Sequence, residues 1–339
     1  MATTTHIRTG GGVLVVALVG LVTTFPPNGN GGRQAHAATT AGLQAGRCAG
    51  ARAVHTPTPS RSATGSSGQN YAYDWPVKPF DQQHPVRAYL DDPRIGKRER
   101  LFHFGIDIAA ADGTLVYAVA AGRVFRQFDH VAVVGSAGEF AYWHIVPLVR
   151  HHELVSRHQL IGYVMPPWGH VHFAEIHDGH YLNPLRPGAL GPYADWTAPT
   201  LAAAGAESGS PHLLTGHVSL VAAAYDTTPI RIAGAWHDEP VTPALVRWRL
   251  LSENRAVRTW RTAADFRYEM LQPSQFDRIY APATTQNHEG EPGLFCFNLA
   301  RHFDTRTLPD GTYRLEIELR DTRRNASVTE TTLTIDNRS

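Results

Sequence analysis

The segment YRLEIELRD near the C-terminus fixes the kind of structure this chain can form. Tyr313, Leu315, Ile317 and Leu319 alternate with Arg314, Glu316, Glu318 and Arg320. Successive side chains of an extended strand point to opposite faces, so this pattern is a strand with one apolar and one polar face. Other short apolar runs share the character: TLVYAVAAGRVFRQF, HVAVVGS, EFAYWHIV and HVHFAEIH, then HVSLVAAAYD, LVRWRLLS and VTETTLTID. Gly, Pro, Ser and Asp punctuate them, and no stretch of residues 70–195 repeats apolar residues at helical spacing. The fold expected is mostly β. An antiparallel β-sheet domain over residues 71–196 is followed by an immunoglobulin-like β-sandwich over residues 213–339. In TLVYAVAAGRVFRQF, apolar residues on both faces suit a central strand, with Ala121-Gly122 read as a turn.

Composition changes mark the boundaries. Residues 38–70 are rich in Ala, Gly, Ser, Thr and Pro and read as a flexible linker. Residues 197–212, TAPTLAAAGAESGSPH, read as a second linker. Ahead of these, Arg8, the apolar run Val13–Phe25 and the small-x-small site Ala35-His36-Ala37 read as a signal peptide over residues 1–37. An uncleaved anchor is the other reading of that stretch. A secreted protein, extracellular or bound to the cell wall, is therefore expected. Secretion allows Cys48 and Cys296 to bridge, but only geometry decides whether they do. With 31 basic and 30 acidic side chains the formal net charge is +1, which gives no electrostatic case for nucleic acid.

The chain has 19 histidines, so chance pairs are common and spacing must carry any argument about a site. In HVHF, His170 and His172 share one face of a strand. HFGID supplies His103 and Asp107, with Gly105 between them allowing a bend. AYWHIV ends an aromatic strand on His144. A catalytic zinc takes three protein ligands and keeps one position for water. His103, Asp107 and one histidine of the HVH pair meet that count, and the remaining histidine and His144 would stand beside the water. Each histidine lies in a hydrophobic segment, where an unpartnered polar group is costly.

The order of these segments resembles the M23 family of zinc metallopeptidases, of the lysostaphin and LytM type. HFGIDIAAADGTLVYAVAAGRV matches the family's first block, YWHI its second and GHVHFAEI its third. The resemblance covers about residues 72–195. It implies a zinc endopeptidase acting on peptidoglycan peptides, with His103, Asp107 and His172 as zinc ligands and His144 and His170 as catalytic residues. A monomer without a membrane segment in its mature form is expected. VMPPWG stands where the family has a glycine-rich turn, which leaves substrate preference open. A second reading is an M23-like protein that binds wall or regulates another hydrolase without cutting. Degenerate members of that sort lack ligands, whereas all five positions are filled here.

The remaining motifs are plainer. RIGKRER, residues 94–100, reads as a solvated loop that could also attract anionic wall polymer. His151 and His152 read as a solvated turn, His177 and His180 as a hairpin tip, and His130 as a loop residue. Trp143 and Trp168 read as packing or rim residues. NPLRPGALGPYAD reads as the closing segment of the domain. No G-x-S-x-G, H-E-x-x-H or phosphate-binding loop occurs.

Overall fold

The structure, a computed structural model, describes Cys48 and residues 70–237 and 239–338. The signal-peptide segment and almost all of the first linker lie outside the described residues.

The N-terminal half contains β1 (Val86–Ala88), β2 (Pro93–Ile95), β3 (Arg100–Phe102), β4 (Ile106–Ala109), β5 (Leu115–Tyr117), β6 (Gly122–Arg126) and β7 (His130–Gly135). It continues through β8 (Gly138–Trp143), β9 (Ile145–Pro147), β10 (Leu154–Val155), β11 (Leu160–Val164), β12 (His170–His177) and β13 (His180–Leu182). The C-terminal half contains β14 (Thr200–Ala206), β15 (Leu213–Leu214), β16 (His217–Tyr225), β17 (Leu245–Ser252) and β18 (Arg255–Asp265). After the short helix α1 (Phe276–Ile279) come β19 (Cys296–Asp304), β20 (Gly311–Arg320) and β21 (Ala326–Ile335).

The main N-terminal sheet runs β1-β4-β12-β8-β7-β6-β10, with β13 added to β12. Its neighbours are all antiparallel. A second sheet, β5-β11-β9, covers one face. Ile106, Ile108, Val171, Phe173, Phe140 and Tyr142 fill the space between. The predicted central strand over TLVYAVAAGRVFRQF is instead broken in two. β5 belongs to the small sheet and β6 to the large one, because the chain bends between them at residues 119–120. Gly122 opens β6 rather than closing a turn. A Cβ there would meet the Val134 carbonyl oxygen at 2.6 Å, so the close approach of β7 requires glycine.

In the C-terminal half, β14-β16-β19 face β15-β21-β20-β17-β18. Trp248, Leu250, Leu315, Ile317, Leu319 and Phe297 are buried between these sheets. The outward face of β20 is not simply solvated. Arg247 pairs with Glu318 and Arg249 with Glu316 across β17, and both arginines lie against the Trp260 ring. Residues 197–212 depart from the linker reading, since β14 lies within them and pairs with β16. Ala203, Ala204 and Ala206 are small enough to lie buried, so an Ala-Gly-rich composition here serves close packing rather than flexibility. Cys48 is bonded to Cys296, with Cα atoms 5.8 Å apart, and packs beside Ala203, Val221 and Ala223.

The two halves are fused through the hairpin of β2 and β3. Phe102 belongs to the core of the C-terminal half, where it meets Phe276, Tyr280 and Phe266. Tyr280 Oη donates to the Asp91 carbonyl at 2.8 Å, and the Thr242 amide donates to Asp92 at 2.8 Å. Among the described residues no helix is long and apolar enough to cross a membrane.

Candidate metal centre

Antiparallel register assembles the site. β12 lies between β4 and β8, and His172 stands directly opposite Asp107 on one side and Trp143 on the other. Directly opposed residues share a face, so the Asp107 carboxylate and the His172 ring meet on the side away from Val171 and Phe173. His170, two residues earlier, shares that face. His103 enters from the turn after β3, which Phe102 anchors.

Three atoms converge. His103 Nε2 lies 2.8 Å from His172 Nδ1 and 3.1 Å from Asp107 Oδ1, and His172 Nδ1 lies 3.0 Å from Asp107 Oδ1. All three residues are buried, at 3%, 7% and 4% exposure for His103, Asp107 and His172. His103 Nδ1 is 2.8 Å from the Tyr89 carbonyl, to which it can only donate. That assignment leaves the His103 Nε2 lone pair facing the other two atoms, the second-sphere arrangement that fixes metal-binding histidines. The Asp107 oxygen is an acceptor as well, so electron-rich atoms crowd together where a cation would relieve them. Ligand atoms on a tetrahedral zinc stand about 3.3 Å apart, close to the spacing found. His172 Nε2 is buried and has no hydrogen-bond partner, so this ring is turned toward the centre by its other nitrogen. The donor set of two imidazoles and one carboxylate fits zinc.

The surroundings set the protonation states. Burial pushes the His103 imidazole down to about 3, assisted by the Arg94 charge. It remains neutral, as a metal ligand must. The Asp107 carboxyl is held well below its usual range: burial opposes this, but the attraction that His103 and His170 exert when protonated outweighs it. Arg94 Nη2 donates to Asp107 Oδ2 at 3.2 Å, so the carboxylate is oriented by one oxygen and offers the other.

His144 and His170 stand beside the three ligand positions. Their ring centroids are 4.8 Å apart. His144 has φ +61°, a left-handed backbone position that is costly for a non-glycine residue and concentrates at functional sites. Its ring stacks on Trp168 at 3.7 Å. Burial pushes it down to about 2, with His170 contributing, and its Nδ1 has no hydrogen-bond partner. His170 Nδ1 lies 2.7 Å from the Trp168 carbonyl and 2.6 Å from Arg87 Nη2. It can donate to the first or accept from the second, not both. When it donates, Nε2 presents a lone pair 3.5 Å from Asp107 Oδ1, toward the ligand positions.

All five residues singled out in the sequence therefore lie together. Sequence reasoning missed Arg87, which lies on β1 beneath Trp236 of the C-terminal half, 4.2 Å from its ring centroid. It also missed His130, which begins β7 instead of lying in a loop and stacks on Trp143 at 4.6 Å. No local spacing relates these residues to the motifs; only the strand order does. RIGKRER is divided: residues 96–99 are exposed, while Arg94 reaches Asp107 and Arg100 pairs with Asp277. Gly105 has a role other than bending. A Cβ there would lie 2.4 Å from the Phe173 carbonyl oxygen and 2.9 Å from His172 Nε2.

No family model matches the chain, and no curated protein matches it. Among solved structures it is similar to Helicobacter pylori Csd3 in its orthorhombic crystal, at 22% identity and a TM-score of 0.30, covering 38% of this chain and 37% of that one. It is also similar to a Pseudomonas aeruginosa protein assigned to peptidase M23, at 21% identity and a TM-score of 0.23, covering 40% and 53%. Murine CRIg matches at 16% identity and a TM-score of 0.19, covering 42% and 100%. The chain thus spans about a third of the Csd3 chain and about half of the Pseudomonas one.

Proposed function

We propose that the chain is a secreted zinc metalloendopeptidase that hydrolyses peptide bonds of bacterial peptidoglycan, in stems or cross-bridges. The observation that carries this reading is the convergence of His103 Nε2, Asp107 Oδ1 and His172 Nδ1 within 3.1 Å of one another, with His144 and His170 alongside. The peptidoglycan assignment follows from the resemblance of the three sequence blocks to M23 peptidases.

His103, Asp107 and His172 would hold the metal. When bound, zinc polarises a carbonyl and lowers the pKa of a water at its open position. The chain's own residues do the rest. His170, with Nδ1 committed to the Trp168 carbonyl, accepts a proton at Nε2. His144, held against Trp168, presents its ring to the charge developing on the attacked carbonyl oxygen. Arg94 orients Asp107 by donating to its other carboxylate oxygen.

Digestion of purified peptidoglycan, with mass analysis of the released fragments, tests the proposal. Fragments ending at new peptide termini are expected, lost on chelation and restored by zinc. A metal-free protein that binds wall and releases nothing would instead support the non-catalytic reading.

A further inference from the structure

A second group of metal-ligating side chains lies away from the first. Asp195 ends the closing segment of the N-terminal half, Asp226 follows β16 and Asp321 follows β20, so each belongs to a different part of the chain. One carboxylate oxygen from each lies within 4.8 Å of the others. Exposures are 3%, 1% and 4% for Asp195, Asp226 and Asp321. Such burial of three carboxylates is costly unless something balances their charge.

The protein's own groups do so only in part. Thr197 donates to Asp195 Oδ1 through its amide at 2.9 Å and its hydroxyl at 2.7 Å. The Thr227 amide donates to Asp226 Oδ1 at 2.8 Å. Asn325 donates to both oxygens of Asp321. Asp195 Oδ2 and Asp226 Oδ2 remain, fully buried and without a hydrogen-bond partner. Among the described residues no lysine or arginine forms an ion pair with any of the three. Arg323, the nearest cation by electrostatic influence, lies against the Tyr193 ring and its Nε is also unpartnered. A cavity of about 10 Å³, room for one water-sized occupant, is lined by Asp226 and Asp321 together with Tyr89, Asn183 and Thr242.

We propose that Asp195, Asp226 and Asp321 form a calcium site that locks the C-terminal half to the segment leaving the N-terminal half. The donors are oxygens throughout, which excludes the imidazole and thiolate chemistry that selects zinc. Calcium binds oxygen at 2.3–2.6 Å, so two ligands across one ion stand up to about 5 Å apart. The observed spread lies inside that limit. Magnesium demands strict octahedral geometry and usually keeps several of its waters, for which a cavity of this size has no room. The two unpartnered oxygens belong to Asp195 and Asp226, whose side chains no hydrogen bond joins among the described residues. Asp195 and Asp321 are already joined through Asn325, whose side chain donates to the Asp195 carbonyl at 2.9 Å. The ion would complete that triangle.

Full-length mature protein, passed over chelating resin and reloaded with one equivalent of zinc, is titrated with calcium chloride by calorimetry and melted with and without calcium. Binding of one calcium is expected, with a rise in Tm of about 5 °C at a hundredfold excess over Kd and no comparable response to magnesium chloride at matched ionic strength. Asp226→Asn should abolish both. Absence of calorimetric binding, with equal melting in both salts, would overturn the proposal and leave the carboxyls neutralised by protons. Unchanged calcium binding by folded Asp226→Asn would overturn it too. Should that variant fail to fold, Asp195→Asn and the wild-type titration decide between the two outcomes.

Discussion

Phe102 packs its ring 5.1 Å from that of Phe276, inside the core of the C-terminal half, while the next residue, His103, reaches the candidate metal centre. The C-terminal half thereby holds one ligand in place. It acts as part of the scaffold of the site. Phe102→Ala should cost about 3–5 kcal/mol, typical for a buried aromatic ring. It should also weaken metal retention, although Phe102 touches no metal-ligand atom. Thermal unfolding and metal content after dialysis measure both. A variant that melts earlier yet keeps its metal fully would separate the core from the site.

His170 and His172 share a strand face but differ in their surroundings, and substitutions should separate them. His172→Ala removes one of the three convergent atoms, so metal content should fall to near zero. His170→Ala should retain metal and lose turnover by about 10²–10⁴-fold, the range for a positioned acid or base. Metal analysis alongside hydrolysis of wall peptides reads both effects. Loss of metal in His170→Ala with retention in His172→Ala would exchange their roles.

Gly105 lies so close to β12 that any side chain must displace a backbone. The contact is the Phe173 carbonyl oxygen, which a Cβ would approach to 2.4 Å, and a carbonyl within a paired strand has little freedom to move. Gly105→Ala should destabilise the protein by about 1–3 kcal/mol. By pushing on His172 Nε2 it should also reduce metal affinity. Denaturant unfolding and a competitive metal-chelator titration test the two halves of this expectation.

Arg87 donates to none of the three ligand residues, yet its guanidinium lies 2.6 Å from His170 Nδ1 and is covered by Trp236. Arg87→Ala should lower kcat/KM by about 10- to 100-fold, because the Arg87 charge helps burial hold the His170 imidazole neutral and ready to accept a proton. Metal content should be unchanged. Arg87→Lys should recover little, because an ammonium lacks the planar face that lies under the indole and holds the charge beside His170. Trp236→Ala should give a smaller loss in the same direction.

The three histidine blocks were legible because the chemistry lies within short strands. In HVHF the period of two sets His170 and His172 on one face, and the structure keeps that arrangement. Alternation in YRLEIELRD likewise identified β20. Less legible were features that depend on which strands become neighbours. Arg87 and Asp107 are brought together by the pairing of β1 with β4, and Trp236 arrives from the other half of the chain. Composition misled at TLAAAGA, where small residues signal tight packing against β16 and Cys48, and looked like a linker. The partners of the charged face of β20 were not legible because its arginine partners lie on β17, about 70 residues earlier. The pairing of Cys48 with Cys296 spans 248 residues and had no local signature.

Asp321 should make stability depend on pH in a direction opposite to an ordinary surface carboxylate. Burial pushes its carboxyl up to about 7, against an unfolded value near 4, and the nearby Asp195 adds to the effect. The folded protein then binds more protons than the unfolded chain across this interval. Stability from this group is fully present below about pH 4 and is lost as pH rises through about 7. Asp226 and Asp195, also raised by burial, act with the same sign. Buried histidines elsewhere in the molecule oppose it, so the comparison is made against Asp321→Asn under calcium-free conditions. The wild type should lose stability relative to that variant between pH 4 and pH 7. Calcium should remove the difference in slope by replacing protons as the balancing charge. Chemical denaturation at stepped pH, with and without calcium chloride, measures the slope. Equal slopes for the two proteins without calcium would mean that Asp321 titrates at its ordinary value.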